Sequence, residues 1–104
     1  MVYKIVWTFQ ARMDLKSIKE YIQMDSHYYA EKLINHIYER ADVLKEYPEI
    51  GIPVFPERFQ FLRKILYQSY RIIYHFSGSQ ITIITVHHQS RLVENIRAIK
   101  DYKE

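Results

Sequence analysis

The spacing of apolar residues changes twice along the chain, and these changes restrict the possible fold more than any other feature. Apolar and polar residues alternate briefly over residues 3–9, which is the period of a strand. From Ala11 to Leu44 apolar residues recur at helical spacing and form two separate stripes, one on each of two amphipathic helices. From Phe61 to Val86 the alternating period returns. The pattern therefore predicts a short strand, two helices and then a sheet.

Residues at the segment boundaries predict where the helices begin and end. Thr8 can cap the first helix and Asp25 or Ser26 the second, because short polar side chains accept hydrogen bonds from the first free amides of a helix. Pro48 predicts that the second helix ends at Tyr47, since a residue before proline disfavours helical geometry. So short a connection between the two helices makes them an antiparallel hairpin.

Two tight turns divide the second alternating region into three strands. The turns lie at Gln68-Ser69 and at Ser77-Gly78-Ser79, where glycine tolerates a positive φ. The three strands form an antiparallel meander, and the apolar residues of 92–99 fit a short C-terminal helix. The prediction is one α+β domain spanning residues 1–104, with an N-terminal strand, a helical hairpin covering one sheet face, the meander and the final helix.

Composition excludes several kinds of chemistry. The chain has no cysteine, so disulfides, thiolate metal sites and cysteine nucleophiles are excluded. Its two glycines cannot make a glycine-rich phosphate loop. The longest apolar run, 81–86, contains two threonines and is too short to span a bilayer, and the N-terminus lacks the features of a signal peptide. We expect a cytoplasmic protein without cofactor, metal or membrane association.

Charge is distributed unevenly along the chain, although the formal net charge is only +3. Residues 58–93 contain five arginines and lysines and no carboxylate. Such a segment attracts anionic partners, although acidic residues are also disfavoured in strands for purely structural reasons. The asymmetry predicts a surface for phosphate or carboxylate groups on the sheet.

The alternation of side chains along a strand predicts which residues form this basic surface of the sheet. It places Arg71, Ile73 and His75 on one strand face, which we expect to be open because the opposite face is more apolar. The candidates for binding a target or a phosphate are the basic residues of the strands and of the segment after them, namely Arg63, Lys64, Arg71, His87, His88 and Arg91. Arg71, His88 and Arg91 are also candidates for catalysis, by phosphate binding or acid–base transfer. Each can instead be structural: the arginines as ordinary solvated strand residues, His88 as an anchor for the last strand. Adjacent histidines in an extended chain point apart, which argues against a metal site.

Several motifs in the same order resemble the ParE/RelE superfamily of type II toxins, often called plasmid stabilisation proteins. The resemblance covers nearly the whole chain. Its most informative parts are the opening helix, the central hairpin and the closing segment, which read Ala11-x-x-Asp14-Leu15-x-x-Ile18-x-x-Tyr21-Ile22, Tyr70-Arg71-Ile72-Ile73-Tyr74 and Val86-His87-His88-Gln89-Ser90-Arg91. The resemblance implies the same helical hairpin on an antiparallel sheet, and an antitoxin encoded by an adjacent gene that forms a hetero-oligomer with the toxin.

The resemblance leaves two targets open. RelE-like toxins are ribosome-dependent endoribonucleases that cleave mRNA, and Arg71 matches an arginine of that branch. The second catalytic arginine of the branch falls near Gln89 and its catalytic tyrosine near Asn95, and neither residue can replace them. ParE-like toxins inhibit DNA gyrase by binding, and the His88-Gln89 pair and the modest charge are closer to that branch. The resemblance thus favours a ParE-like gyrase inhibitor, with a RelE-like nuclease or a non-toxic degenerate member as alternatives.

Overall fold

The computed structural model describes residues 2–102, apart from the side chain of Glu94, and its elements follow the predicted order. In chain order they are β1 (Lys4–Trp7), α1 (Phe9–Gln23), α2 (His27–Asp42), β2 (Ile52–Pro53), β3 (Arg63–Tyr67), β4 (Tyr70–Ser77), β5 (Gln80–His88) and α3 (Arg97–Asp101). Three short 3₁₀ turns lie at Val43–Lys45, Glu57–Phe59 and Val93–Asn95. None of the helices within residues 2–102 is long and apolar enough to cross a membrane. The predicted α+β class is confirmed.

The strands form one five-stranded sheet in the order β1-β5-β4-β3-β2. The antiparallel meander of β3, β4 and β5 is confirmed. β1 pairs in parallel with β5, and β2 pairs with the start of β3. The two-residue β2 was not predicted, because it contains Pro53 and lies in a segment whose prolines indicate a loop.

The helices begin where their capping residues predict, but the second helix does not end where predicted. The side chains of Thr8 and Ser26 accept hydrogen bonds from the amides of Ala11 and Tyr29, both at 3.1 Å, so both predicted caps are confirmed. The predicted end of the second helix at Tyr47 is wrong. α2 ends at Asp42 and continues as the 3₁₀ turn before the chain reaches Pro48, because the last turn of a helix readily tightens in this way.

Buried side chains form two cores, one on each face of the sheet. The first lies between the helical hairpin and the sheet, and its largest members are Leu15, Leu33, Ile37, Leu44, Ile65, Ile72, Tyr74, Ile81 and Ile83. The second lies between the opposite face and the C-terminal part of the chain, and consists of Val54, Phe59, Leu62, Ile73, Ile84, Val93, Ile96 and Ile99. The prediction that the Arg71 face is open is therefore wrong over most of its area. Ile73 and His75 are buried, because Val93, Ile96 and Ile99 share a core with Ile73, and the rings of Phe61 and Tyr102 pack against His75.

Candidate functional site

The candidate site lies at the C-terminal end of β5, beyond the last residue of this strand that pairs with β1. The pairing of β1 with β5 stops at Trp7 and Ile83. Beyond that point α1 supplies the missing hydrogen bonds. The carboxylate of Asp14 accepts from the Val86 amide at 3.1 Å and from the Thr85 hydroxyl. The first helix is thereby fixed to the part of β5 that carries the two histidines.

Arg71 fixes the segment that follows β5. It lies opposite His87 in the β4–β5 ladder. Its guanidinium donates hydrogen bonds to the backbone carbonyls of Gln89 and Arg91, the latter at 3.0 Å. The Gln89 amide also donates to the Ser69 carbonyl at 2.8 Å. Arg71 therefore holds the closing segment against the start of β4.

His87 is the most unusual polar residue of the site. Its side chain is only 2% exposed, and neither ring nitrogen has a hydrogen-bond partner among the residues that the structure describes. Burial, and to a lesser degree the positive charges of Arg71, Arg91 and Lys64, lower the pKa of His87 to about 3. The ring is therefore neutral at physiological pH. These interactions also show that Lys64, Arg71 and Arg91 surround His87 as one basic cluster.

His88 is exposed and lies on the opposite side of the strand, beside Tyr70. The two rings meet edge to face, with centroids 5.7 Å apart. Nδ1 of His88 accepts a hydrogen bond from the Ser90 amide at 3.1 Å and lies 2.8 Å from the Ser90 hydroxyl. Because a nitrogen that accepts an amide hydrogen carries no proton, the neutral ring holds its proton on Nε2. His88 therefore presents a hydrogen-bond donor to a partner.

Arg63 does not join the basic cluster. Its guanidinium donates to the carbonyls of Gly51 at 2.7 Å and Glu49 at 3.3 Å. Arg63 thus anchors the loop before β2. Of the six residues predicted to bind a target, the structure brings Lys64, Arg71, His87 and Arg91 together, places His88 on the neighbouring surface and separates Arg63 from them.

A groove of about 650 Å³ connects the two histidines with the first helix. Its wall includes Ile18, Tyr21, Tyr70, His87, His88 and Arg91. Tyr21 on the first helix was not among the predicted site residues, and its side chain is 70% exposed at the groove. Asp14, Tyr21 and Tyr70 were therefore missed as members of the site. All three belong to the motifs that carry the family resemblance, and membership of these motifs was the sequence signal that could have identified them.

The arrangement is better suited to binding than to hydrolysis. Asp14 is the carboxylate that lines the groove within the described residues, and it already accepts two hydrogen bonds from β5. His87 is buried, and the guanidinium of Arg71 is engaged with backbone carbonyls. What remains accessible is a mixed surface of tyrosines, His88 and Arg91, which can bind a protein partner or an anionic group.

Comparisons with known proteins agree with the fold and the motifs. The family model described as ParE toxin of the type II toxin–antitoxin system parDE matches residues 5–93. Toxin RelE2 of Caulobacter vibrioides is 31% identical over 90 residues, which cover 86% of this chain and 98% of that protein.

Two solved structures have the same fold. A chain of the chromosomal ParDE system from P. aeruginosa superposes with a TM-score of 0.72 at 20% identity, covering 84% of this chain and 96% of that one. A chain of the toxin–antitoxin complex RelBE2 from Mycobacterium tuberculosis gives a TM-score of 0.67 at 21% identity, covering 85% of this chain and 99% of that one. The match to the family model and the identity to Toxin RelE2 together mean that this chain belongs to the ParE/RelE superfamily of type II toxin–antitoxin toxins.

Proposed function

We propose that this toxin acts by binding DNA gyrase, as a ParE-like inhibitor, and that an antitoxin encoded by an adjacent gene neutralises it. The observation that carries the proposal is the engagement of Arg71. Its guanidinium donates to two backbone carbonyls and so maintains the shape of the closing segment. An arginine that maintains the shape of a surface segment in this way is suited to a protein that acts by binding.

A nuclease needs donors that are aimed at the scissile phosphate and held free for its growing charge. Arg71 is the arginine that matches the RelE-like branch, and here two neutral carbonyls engage its Nη2. Gln89 and Asn95 stand where that branch has its other catalytic residues. The nitrogens of His87 are covered. These features favour the gyrase-binding branch.

The descriptions of the solved structures that share this fold support an antitoxin partner. The relatives from P. aeruginosa and M. tuberculosis are described as a ParDE system and a RelBE2 toxin–antitoxin complex. Residues 58–93 of this chain contain no carboxylate, and a bound partner with acidic side chains complements such a segment. A partner segment that folds on binding can follow the groove between α1 and β5.

One observation favours the second candidate, a RelE-like nuclease that cleaves mRNA on the ribosome. His88 is exposed, its Nε2 carries the proton, and Arg91 lines the same groove. A histidine beside a cation is suited to proton transfer at a phosphate. This reading requires His88 to exchange protons during turnover, whereas gyrase binding does not.

The two candidates are separated by inducing the toxin in a bacterium and measuring two responses in the same culture. Gyrase inhibition predicts a DNA-damage response, with intact messages and inhibited supercoiling by purified gyrase. Ribosome-dependent cleavage predicts new message ends at codon positions, which disappear when translation is blocked. Message cleavage without inhibition of purified gyrase contradicts the proposal. Coexpression with the product of each neighbouring reading frame tests neutralisation.

A further inference from the structure

We propose that His87 is the docking point for a carboxylate of the antitoxin, and that this carboxylate binds together with one proton. The groove between α1 and the end of β5 is the route by which it reaches the ring. The inference rests on the proposed function, because it takes the antitoxin as the partner. It assigns to His87 a role in neutralisation rather than in the attack on the target.

The first argument is the unsatisfied state of the ring. A side chain that is 2% exposed, and whose two nitrogens find no hydrogen-bond partner in the described part of the chain, destabilises the free toxin. A buried polar group that is left unpaired is destabilising relative to a satisfied one, because its contacts with water are lost and not replaced. An apolar residue of similar size at this position avoids that penalty. The penalty is removed if a partner supplies the missing acceptor.

The second argument is the charge around the ring. Lys64 on β3, Arg71 on β4 and Arg91 after β5 all act on His87. On the first helix, the carboxylate of Asp14 is already bonded to β5. Tyr21, Tyr70 and His88 complete the groove, and none of these side chains is a carboxylate. Three cations therefore act on a neutral imidazole, and the carboxylate that lines the groove among the described side chains is already bonded to β5.

The third argument is the chemical character of the groove, which fits a peptide better than a nucleic acid. Beside Arg91 and the two histidines its wall contains Ile18, Val86, Tyr21 and Tyr70. Binding a polynucleotide requires a run of cations along several phosphates, whereas the net charge here is +3 and the cations are clustered. An acidic side chain flanked by apolar residues matches both parts of the wall.

Access to the ring depends on Arg71. In the free chain Nη2 of Arg71 donates to the carbonyls of Gln89 and Arg91, in the closing segment that follows His87, and the ring itself is buried. A carboxylate forms stronger hydrogen bonds with a guanidinium than a neutral carbonyl does. The incoming carboxylate therefore competes with the Gln89 and Arg91 carbonyls for Arg71. This loosens the closing segment and lets the carboxylate contact the His87 ring. With a carboxylate beside it, the imidazole gains the anionic neighbour that favours its protonated form.

The test is calorimetric titration of the full-length toxin with the antitoxin from the neighbouring reading frame, repeated in buffers of different ionisation enthalpy. We expect uptake of about one proton per complex near pH 6. Binding should weaken by up to tenfold per pH unit as the pH rises between the pKa of His87 in the free toxin and its higher pKa in the complex, and should become independent of this group above the latter. His87→Leu is expected to abolish this uptake. His27→Leu is the matched control, because it replaces an exposed histidine on α2 that does not line the groove.

A measurement on the unaltered protein avoids dependence on the folding of a variant. The ring nitrogen shifts of His87 in NMR spectra should change from those of neutral imidazole to those of imidazolium when antitoxin is added. Binding without proton uptake, or with uptake that persists in His87→Leu, overturns this inference and leaves the proposed function intact. Antitoxin that does not bind at all overturns both. A shift of His87 with short single-stranded RNA and none with antitoxin contradicts the assignment of a peptide carboxylate.

Discussion

The carboxylate of Asp14 accepts a hydrogen bond from the backbone amide of Val86, 72 positions further along the chain. This contact explains why an acidic residue stands within the apolar stripe of the first helix. β5 continues beyond the last residue paired with β1, so its amides need acceptors. Asp14 takes the place of the missing strand and holds α1 at the groove that contains His87.

Replacing Asp14 tests this connection. Asp14→Ala leaves the Val86 amide and the Thr85 hydroxyl without their acceptor, and we expect the free energy of unfolding to fall by about 2–3 kcal/mol. Asp14→Asn retains an acceptor and should lose less. Chemical denaturation measures both variants, with Glu20→Ala, an exposed site on the same helix, as the control. Equal stability of Asp14→Ala and Glu20→Ala contradicts the assignment.

A second prediction concerns the buried hydroxyl of Tyr74. It donates to the Pro48 carbonyl at 2.7 Å and accepts from the Gly51 amide at 3.0 Å. Tyr74→Phe removes both bonds, and we expect a loss of about 1–3 kcal/mol. Gly51→Ala should also be destabilising, because the added Cβ falls 2.5 Å from the tyrosine hydroxyl and 2.9 Å from the Lys64 carbonyl.

Thermal denaturation of the two variants checks these values. The control is Tyr47→Phe, whose ring is exposed and whose hydroxyl makes none of these bonds. If Tyr74→Phe is as stable as Tyr47→Phe, the hydroxyl does not hold the loop. If Gly51→Ala is tolerated without loss, the loop is less constrained than the contact distances imply.

Local patterns predicted the elements because each depends on neighbouring residues. The helical stripes, the caps at Thr8 and Ser26 and the turn at Gly78, whose φ is +62°, are all of this kind. The parallel pairing of β1 with β5 depends on residues far apart in sequence, and periodicity contains no information about it. The same limit applies to the cover over the Arg71 face, which the C-terminal residues form.

The site was predicted in part for a related reason. The absence of carboxylates from residues 58–93 identified the basic region, and the structure brings Lys64, Arg71 and Arg91 together around His87. Alternation along a strand places side chains on a face, but it does not show which of them will use their donors on backbone carbonyls. Arg63 and Arg71 both do so. The burial of His87 likewise follows from tertiary packing.

A third prediction is that His87 makes folding stability depend on pH. The pKa of His87 falls from 6.5 in the unfolded chain to about 3 in the folded one, chiefly because of burial. The lowered pKa means that the neutral folded form is fully favoured above pH 6.5, and that stability decreases as the pH falls toward 3. The expected slope is about 1.4 kcal/mol per pH unit within that window.

Denaturation curves of the unaltered toxin and of His87→Leu across this window provide the measurement. Other groups titrate in the same range, so the difference between the two proteins is the informative quantity. His87→Leu should be at least as stable at neutral pH, since it removes an unpaired buried polar group. A constant difference between the two proteins at all pH values contradicts a neutral buried ring.

A fourth prediction concerns Arg71 as the holder of the closing segment. Arg71→Lys keeps the positive charge but replaces the planar guanidinium by a single ammonium group. We expect faster hydrogen exchange at the amides of Gln89 and Arg91, and weaker binding to gyrase. Arg12→Lys, at an exposed position on α1, is the control for a general effect of the substitution. Unchanged exchange in Arg71→Lys means that the segment is held by other contacts.

The last prediction separates binding from catalysis through His88. Glutamine at this position can still accept the Ser90 amide through its side-chain oxygen and donate through its side-chain nitrogen, as the ring does. It cannot exchange protons near neutral pH. If the toxin inhibits gyrase by binding, His88→Gln should retain toxicity within about twofold to threefold at equal expression, whereas loss of general acid–base catalysis lowers a nuclease rate by about 10²–10⁴. Growth inhibition after induction measures the effect, and antitoxin binding verifies the fold. A His88→Gln protein that folds, binds antitoxin and is no longer toxic favours the nuclease over the gyrase inhibitor.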